Sequence, residues 1–349
     1  MGDHFTRPEN AAIPTLRWEE PPDGPVLVLL DQTRLPQEEV ELACTDVQAL
    51  VAAIRSLAVR GAPVLGLAGA YGVALAAARG YDVEDAAELL AQARPTAVNL
   101  SYGVRRALEA YRGAAPEQAA AVALAEARAL HAEDAAASTA MSEHGERLLA
   151  ELVPGGGYRI LTHCNTGALV SGGQGTALGV VLAVHRAGEL RRLWVDETRP
   201  LLQGARLTAF EAARAGMAYT LLTDNAAGSL FTAGEVDAVL IGADRIAADG
   251  STANKVGSYP LAVLARYHGV PFLVVAPTTT VDLATPDGAS IEVEQRAGSE
   301  VTDLAPSPLG TQAYNPAFDV TPPELITAIV TENGVVSPVT AERLAAVCR

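Results

Sequence analysis

The sequence predicts an α/β protein, in which a helical N-terminal part with a small β element precedes a parallel sheet covered by helices on both faces. Helical patterns dominate residues 1–153, whereas apolar β-type runs alternate with helical patterns after the Pro154-Gly-Gly-Gly157 break. Runs that are apolar on both faces and alternate with helices are typical of a buried parallel sheet. The change at the glycine run predicts two domains, 1–153 and 154–349.

Composition narrows the classes of ligand. The chain has 349 residues, of which 49% are hydrophobic, and a formal net charge of −16. This charge would repel a phosphate backbone, and no run of lysine or arginine offers a basic stripe, so we expect no nucleic-acid partner. An anionic substrate would need a local cluster of cations.

Cysteine usage indicates the compartment. Cys44, Cys164 and Cys348 are odd in number and far apart, which fits a reducing compartment better than a disulfide framework. The N-terminus, Met-Gly-Asp-His-Phe, lacks the basic and apolar regions of a secretory signal. These features predict a cytoplasmic protein.

The first elements follow from turn and capping signals. Two β-type runs, Thr15–Trp18 and Pro25–Leu30, flank a Pro-Pro-Asp-Gly turn and predict a hairpin. Thr45 followed by Gln48 matches a capping box, and the helix it starts is expected to end at Arg60-Gly61.

A second, buried helix is predicted over 63–79, because Pro63 suits a first helical turn. Arg60-Gly61-Ala62 would then lie at its N-terminus. Residues 62–78 carry no charge, but 17 residues fall short of the roughly 20 that span a bilayer. We therefore expect a helix buried in the protein and no membrane partner. Further helices are predicted over 83–93, 102–112 and 116–152.

The C-terminal part is predicted to supply the parallel strands. β-type runs begin near Tyr158, Arg192, Ala218, Ala238 and Phe272. Farther on, Thr321-Pro-Pro-Glu324 matches a capping box with proline at the first helical position, which predicts a helix through Glu324 to Val330.

Two strand ends carry reactive groups. Cys164 follows the apolar run from Tyr158, and Asp244 follows the run Ala238–Ile241. The carboxyl ends of parallel strands gather on one rim, so the thiol and the carboxylate, with Asp196 and Asp224, are expected there. Alternatively, Cys164 is a small buried hydrophobe, and Asp244 caps a helix or pairs with Arg245.

The glycine-rich block Ser171–Gly179 does not match the dinucleotide fingerprint, since its third glycine is one residue late and it begins seven residues past Cys164. We therefore expect no NAD. The block either holds an anion by its backbone N–H groups or forms a tight, closely packed turn.

Lys255 is the first lysine along the chain, and from its surroundings alone a solvated counter-charge is the favoured interpretation. A metal site is not expected, because His163 is adjacent to Cys164 and no His-x-x-x-His or Cys-x-x-Cys spacing occurs.

Seven segments taken together resemble the methylthioribose-1-phosphate isomerases of methionine salvage. The similarity runs in order from about residue 13 to 333. Each segment alone is weakly specific, but seven segments in the same order are strong evidence of resemblance. The segments are Arg60-Gly-Ala-Pro63, Arg94-Pro-Thr-Ala-Val-Asn99, Thr162-His-Cys-Asn-Thr-Gly167, Asp196-Glu-Thr-Arg-Pro-Leu-Leu-Gln-Gly204, Gly242-Ala-Asp-Arg-Ile246, Ala253-Asn-Lys-Val-Gly257 and Asn315-Pro-Ala-Phe-Asp-Val-Thr-Pro322.

The resemblance implies a Rossmann-like C-terminal domain and a homodimer without metal or nucleotide cofactor. It also implies conversion of 5-methylthioribose 1-phosphate into 5-methylthioribulose 1-phosphate. Cys164 and Asp244 would be the catalytic pair. The sugar phosphate would be bound by Arg60, Gly61, Ala62, Arg94, Gln203, Asn254 and Lys255.

The sequence departs from the family pattern at Glu292-Val-Glu-Gln-Arg296, where consecutive glutamates are expected, and at Ala226, where methionine is common. Both bear on the substrate pocket. Two alternatives stay open: an isomerase of ribose 1,5-bisphosphate or 5-deoxyribose 1-phosphate, and a non-catalytic regulatory subunit like those of a translation-initiation exchange factor.

Overall fold

The computed structural model describes residues 15–94, 96–304 and 307–348; the N-terminal segment used to judge a secretory signal lies outside them. The strands are β1 Leu16–Glu19, β2 Val26–Leu30, β3 Glu41–Cys44, β4 Tyr158–Thr162, β5 Leu190–Asp196, β6 Tyr219–Leu222, β7 Ala238–Ile241, β8 Arg245–Ala247, β9 Thr252–Lys255, β10 Phe272–Val275, β11 Val281–Asp282, β12 Phe318–Thr321, β13 Ala328–Thr331 and β14 Gly334–Val336. The α-helices are α1 Val47–Arg55, α2 Ala62–Arg79, α3 Val83–Ala91, α4 Val98–Gly113, α5 Ala119–Leu152, α6 Ala177–Arg186, α7 Ala209–Arg214, α8 Ala227–Thr232, α9 Ser258–His268, α10 Ser299–Thr302 and α11 Ala341–Val347.

The N-terminal β element is a three-stranded antiparallel sheet in the order β1-β2-β3. The predicted hairpin is confirmed as β1 and β2, with Leu16 opposite Leu29. β3 was not predicted, because Glu41–Cys44 is short and most of its residues are not buried.

Helix α1 differs from its prediction at both ends. Its N-cap is Asp46, whose Oδ1 accepts a hydrogen bond from the N–H of Ala49 at 2.8 Å, so the capping box at Thr45 is wrong by one residue. The helix ends at Arg55 and not at Arg60-Gly61. Leu57 has a φ of 64°, and this left-handed residue breaks the helical path.

Helix α2 is buried along most of its length and confirms the predicted buried helix. It is long and apolar enough to cross a membrane by length and composition, but 78% of that window is buried inside the protein. Its glycines let α4 approach closely: a Cβ at Gly66 would lie 2.9 Å from the carbonyl oxygen of Asn99.

The predicted helices over 83–93, 102–112 and 116–152 are confirmed as α3, α4 and α5, but α4 begins four residues earlier than predicted and α5 three residues later. The 34-residue α5 joins both halves of the molecule. Ala127 and Leu130 belong to the N-terminal core, whereas Met141 and Leu149 pack in a core with β4 and α6. The division into domains at 153/154 stays a prediction.

The large sheet has seven strands in the order β14-β13-β10-β7-β4-β5-β6, and every pairing is parallel except β13 with β14. All five predicted strands lie in it. The helix predicted from Glu324 to Val330 is wrong: Pro323–Leu325 forms a single 3₁₀ turn, and β13 follows. Ala328, Ile329 and Val330 are fully buried beside β10, and this tertiary pairing outweighs the local capping signal.

A second small sheet, β11-β8-β9-β12, lies outside the predictions. Its strands have two to four residues each, which is too short for a periodic pattern to be recognised. The sheet positions three residues of the candidate site. Asp244 lies directly before β8, Lys255 at the end of β9 and Phe318 at the start of β12.

The contact between α2 and α4 generates a stability prediction. A Cβ at Gly103 would lie 1.9 Å from the carbonyl oxygen of Gly66, so the two helices must separate in Gly103→Ala. We expect the free energy of unfolding to fall by about 3 kcal/mol, because backbone cannot move aside as a flexible side chain can.

Gly113→Ala is the matched control, since it lies in the same helix with no atom within 4 Å of the added Cβ. It should leave stability unchanged or raise it by about 0.5–1 kcal/mol. Thermal unfolding followed by circular dichroism measures both variants, and equal midpoints would contradict the close approach of α2 and α4.

Candidate functional site

The order of strands marks where a ligand should bind. The chain runs outward from β4 through β5 to β6 and then returns to β7 on the other side of β4. The carboxyl ends of β4 and β7 therefore form a topological switch point, where open α/β sheets bind ligands. Cys164 lies two residues past β4, and Asp244 lies three residues past β7.

A cavity of about 400 Å³ opens at this point, and both side chains line it. Seven of the nine residues predicted for the site are in its wall: Arg60, Gly61, Arg94, Cys164, Gln203, Asp244 and Lys255. Ala62 lines an adjoining cavity, together with Arg94 and Asp244. Asn254 lines neither, because its buried side chain donates a hydrogen bond to Ser258 Oγ at 2.8 Å.

The thiol of Cys164 is held on a left-handed turn. Its φ is 62°, its backbone N–H donates to Thr198 Oγ1 at 2.9 Å, and its carbonyl accepts from Thr208 Oγ1 at 2.5 Å. Nη2 of Arg60 lies 3.6 Å from Sγ. The thiol thus lies beside a guanidinium in the cavity wall, although it is only 5% exposed.

Asp244 projects its carboxyl into a partly buried, cationic setting. Burial raises the pKa of this carboxyl, while the charges of Lys255, Arg94 and Arg60 act in the opposite direction. The two alternatives for Asp244 do not hold, since β8 and no helix follows it, and Arg245 contacts Thr96 and Asp282 instead.

Lys255 is buried, with 7% of its surface exposed, so it is not the solvated counter-charge that its surroundings in the sequence favoured. Its Nζ donates to the carbonyl of Ala317 at 2.7 Å and lies 5.0 Å from the ring centroid of Phe318. Burial lowers the pKa of Lys255, and the negative charges available at Cys164 and Asp244 oppose that shift.

Arg296 is a fourth cation in the cavity wall, and sequence reasoning missed it as a site residue. Its Nη1 and Nη2 of Arg94 both bind Glu294, each at 2.8 Å. The sequence signal that could have identified Arg296 is the charged run Glu292–Arg296, which was interpreted only as a departure from the family pattern. Leu57, Leu201, Ala317 and Phe318 also line the cavity. The last three belong to segments that carry the family resemblance but were not predicted as site residues.

The first turn of α2 faces the cavity through Gly61. This residue has a φ of 108°, and a Cβ there would lie 2.4 Å from the side chain of Val170. Both constraints require glycine. Gly61 lines this cavity and Ala62, the first residue of α2, lines the adjoining one, so the segment lies at the N-terminus of the helix.

The adjoining cavity, of about 440 Å³, shares Arg94, Asp244 and Phe318 with the first. Beyond this shared wall, six of its ten lining residues are apolar: Ala62, Leu65, Ala97, Val98, Ala253 and Ile291. The other four are Thr96, Asn99, Arg245 and Glu292. A cationic cavity thus lies next to one with a mainly apolar wall, and Asp244 lines both.

Asp196 and Asp224, predicted on the rim, lie behind the cavity with His163. Donor atoms of the three residues are within 4.8 Å of one another, a spacing that a metal ion could use. Most already have partners: His163 Nδ1 contacts Asp196 Oδ2 at 3.0 Å, and Asp224 accepts the N–H groups of Thr198 and Arg199.

Protonation of the buried His163–Asp196 pair follows from its partners. Burial acts to lower the pKa of His163, but the hydrogen bond and charge of Asp196, the carbonyl of Val256 and the charge of Asp224 together raise that pKa. Burial raises the pKa of Asp196. Since Nε2 of His163 contacts the carbonyl of Val256 at 2.9 Å, it carries a proton, and a second proton lies between the ring and Asp196.

The glycine-rich block forms a closely packed turn, the second of its two interpretations. Its N–H groups are occupied by side chains of α5, because Gly172 donates to Asp134 and Gln174 donates to Ser138. A Cβ at Gly172 would lie 2.4 Å from the ring of His131. The N–H groups of Gly172 and Gln174 are thus engaged within the protein, which disfavours the anion-binding alternative.

Comparison with known proteins agrees with this geometry. The model of the initiation factor 2 subunit family matches residues 58–338. A methylthioribose-1-phosphate isomerase from Pelotomaculum thermopropionicum is 49% identical over 347 residues, which cover 95% of this chain and 93% of the relative. The chain belongs to the initiation factor 2 subunit family and, within it, to the methylthioribose-1-phosphate isomerases.

Two solved structures of the family have the same fold. The 5-methylthioribose 1-phosphate isomerase from Pyrococcus horikoshii is 37% identical with a TM-score of 0.86, and the alignment covers 95% of each chain. A protein from A. fulgidus described as translation initiation factor eIF-2B, subunit delta, is 40% identical with a TM-score of 0.81, covering 96% of this chain and 98% of that one. The family fold thus occurs under both enzyme and translation-factor names.

Proposed function

We propose that this protein is an isomerase that converts 5-methylthioribose 1-phosphate into 5-methylthioribulose 1-phosphate, a step of methionine salvage. The observation that carries the proposal is a single cavity in which Cys164 and Asp244 share the wall with Arg60, Arg94 and Lys255. The name of the 49% identical relative supports the same reaction.

The cationic compartment suits the phosphate group. A phosphate dianion is stabilised by guanidinium and ammonium donors and by backbone N–H groups at a helix start. Arg60, Arg94 and Lys255 supply the charges, and Gly61-Ala62 supplies the helix start. These cations stand close to the ligand and outweigh the net charge of −16, most of which is screened from it.

Gln203 is proposed to bind the sugar. Its side chain is 3% exposed, and its Oε1 has no hydrogen-bond partner among the described residues. A buried acceptor without a partner costs roughly 1–3 kcal/mol, which a substrate hydroxyl would recover. Asn254 is proposed to contribute indirectly, because its bond to Ser258 holds the residue next to Lys255.

The chemistry requires an acid at the ring oxygen. Phosphate on the anomeric oxygen prevents spontaneous ring opening, so a proton must reach the ring oxygen as the bond from that oxygen to C1 breaks. Asp244 is the proposed donor, because burial raises the pKa of its carboxyl and so favours the protonated form that can donate.

A hydrogen then moves from C2 to C1, and the proton of the C2 hydroxyl is lost as the ketone forms. Cys164 is proposed to handle this second proton or to stabilise the charge that develops. The substrate is oxidised at C2 and reduced at C1, so the reaction is balanced in electrons without an external carrier.

The mainly apolar wall of the cavity beside Asp244 supports methylthioribose over its rivals, and the carboxylate of Glu292 in the same wall would disfavour a second phosphate. A methylthio group gains free energy from apolar walls such as Val98 and Ile291, whereas a second phosphate would need further free cations there. Arg245, in the same wall, is already engaged by Thr96 and Asp282.

We therefore expect kcat/KM to fall in the order 5-methylthioribose 1-phosphate, 5-deoxyribose 1-phosphate, ribose 1,5-bisphosphate. Product formation by the purified protein with each sugar, followed by NMR, measures the order. Turnover of the bisphosphate alone would replace the proposed substrate, and no turnover of any of the three would favour a regulatory subunit.

Substitution of the reactive pair tests the assigned roles. Cys164→Ser and Asp244→Asn should each lower kcat by about 10²-fold or more, because each removes a positioned proton-transfer group. Cys44→Ser, a buried thiol in β3 outside both cavities, is the matched control and should retain activity. Folding of each variant is checked by circular dichroism, and unimpaired turnover by both site variants would refute the assignment.

The pH dependence follows from the sign of the Asp244 shift. A proton donor works only while protonated, so log(kcat/KM) should fall as pH rises through its pKa. Lys255→Met removes the largest charge that opposes the raised pKa. The variant should be slower, and its alkaline limb should move to higher pH. A limb that disappears in this variant would assign the titration to Lys255 instead.

We also propose that the chain acts as a cytoplasmic homodimer. An exposed stripe on one face of α9, formed by Tyr259, Val263 and Tyr267, supports association, because residues four apart on a helix are neighbours and Tyr267 is 84% exposed. Light scattering distinguishes one chain from two.

A further inference from the structure

Behind the cavity, a chain of buried hydrogen bonds reaches the backbone on both sides of the proposed catalytic groups. Thr198, His163 and Asp196 are each at most 1% exposed, and none of them lines the cavity. They cannot touch a substrate there. Their contacts nevertheless converge on the residues that do.

Thr198 fixes the turn that carries the thiol. Its Oγ1 accepts the N–H of Cys164 at 2.9 Å and donates to the carbonyl of Asp196 at 3.0 Å. Thr198 itself has a φ of 66°, which is unfavourable for a β-branched residue. Its own backbone N–H is held by Asp224 Oδ1 at 2.8 Å. The strained threonine thus connects the ends of β4 and β5.

His163 connects the thiol to the ammonium group. The residue precedes Cys164, and its Nε2–H donates to the carbonyl of Val256, which follows Lys255. Its other ring nitrogen is held by Asp196. The ring also packs so closely on Gly257 that a Cβ there would lie 2.7 Å from Cε1. One imidazole therefore sets the separation of the turn of Cys164 from the end of β9.

We propose that Thr198, His163 and Asp196 are positioning residues that hold the Cys164 thiol in register with the Lys255 ammonium for the isomerisation. This inference rests on the proposed function of the cavity. Such residues act on the rate of the chemical step, because a small displacement of a reacting group lowers the rate without removing any substrate contact.

Thr198→Val and Thr198→Ser test the proposal. Valine keeps the shape and removes the hydroxyl, so the N–H of Cys164 loses its partner; kcat should fall roughly 10- to 100-fold with little change in KM. Serine keeps the hydroxyl and should restore most of kcat. Loss of activity in serine equal to that in valine, or an unchanged kcat in valine, would overturn the role of Thr198.

Thr331→Val is the matched control. Thr331 is also fully buried, and its hydroxyl likewise donates to one backbone carbonyl, of Gly334, and accepts one backbone N–H, of Asn333. It lies in β13 and lines neither site cavity. It should lower the thermal midpoint as Thr198→Val does while leaving kcat intact; an equal loss of kcat would reduce the effect of Thr198 to general destabilisation.

A readout without substrate separates this proposal from the proposed function. In a Cys44→Ser/Cys348→Ser background, alkylation by iodoacetamide reports on Cys164 alone. Thr198→Val should change the alkylation rate severalfold and Thr331→Val should not. If the unmodified protein turns over no sugar phosphate, the reaction is refuted, whereas equal alkylation rates in all variants would refute the positioning.

His163→Asn tests the second connection. Asparagine can place a polar atom near the position of Nδ1 but is too short to reach Val256, so the link towards Lys255 is lost. Here KM should rise as well as kcat fall, because Lys255 is proposed to bind the phosphate. An unchanged KM would show that the imidazole does not position the ammonium group.

Discussion

The burial of Lys255 is the constraint on which the site depends. An ammonium group with 7% of its surface exposed is stable only if neighbouring groups compensate for the lost hydration. The carbonyl of Ala317 and the ring of Phe318 do so from the small sheet and the segment before it, while Cys164 and Asp244, which follow β4 and β7 of the large sheet, line the same cavity. These residues come from both sheets. The small sheet therefore has to dock where β4 and β7 end, and this docking closes the cavity.

Positive side chains are concentrated at the site, although the chain as a whole is acidic. The chain carries a net charge of −16, yet Arg60, Arg94, Lys255 and Arg296 face one cavity. Glu294 holds two of these guanidinium groups and so limits their mutual repulsion. Two opposing influences act on the pKa of Asp244. Burial raises it and favours the protonated acid, whereas the neighbouring cations lower it and favour the carboxylate. A group that must release and recover a proton needs both influences.

Backbone strain is concentrated around the cavity. In the part of the chain that the structure describes, four non-glycine residues have a positive φ: Leu57, Cys164, Thr198 and Leu202. Leu57 and Cys164 line the cavity, Leu202 lies between the lining residues Leu201 and Gln203, and Thr198 holds Cys164. Such conformations cost roughly 1–3 kcal/mol each and persist only when the surrounding contacts determine them. Two bonds from threonine hydroxyls to the backbone of Cys164 are contacts of this kind.

The sequence by itself determined the α/β class, the buried helix α2, five strands of the large sheet and the positions of Cys164 and Asp244 at strand ends. These features depend on local periodicity, on turn residues and on the rule that parallel strands end on one rim. It was wrong about residues 324–330, because the capping signal at Thr321 is local whereas the pairing of β13 with β10 is not.

Only the tertiary structure determined which charged side chains surround the cavity and which of them are buried. Lys255 is surrounded by polar residues in the sequence and is nevertheless buried, because β9 pairs with β12 over sixty residues away in the chain. Arg296 joins the cavity from a segment without a strand or helix of its own, held by Glu294 and Glu300. The hydrogen bonds from His163 to Asp196 and Val256 span 33 and 93 residues. Such contacts depend on the packing of distant segments, which no local pattern of residues specifies.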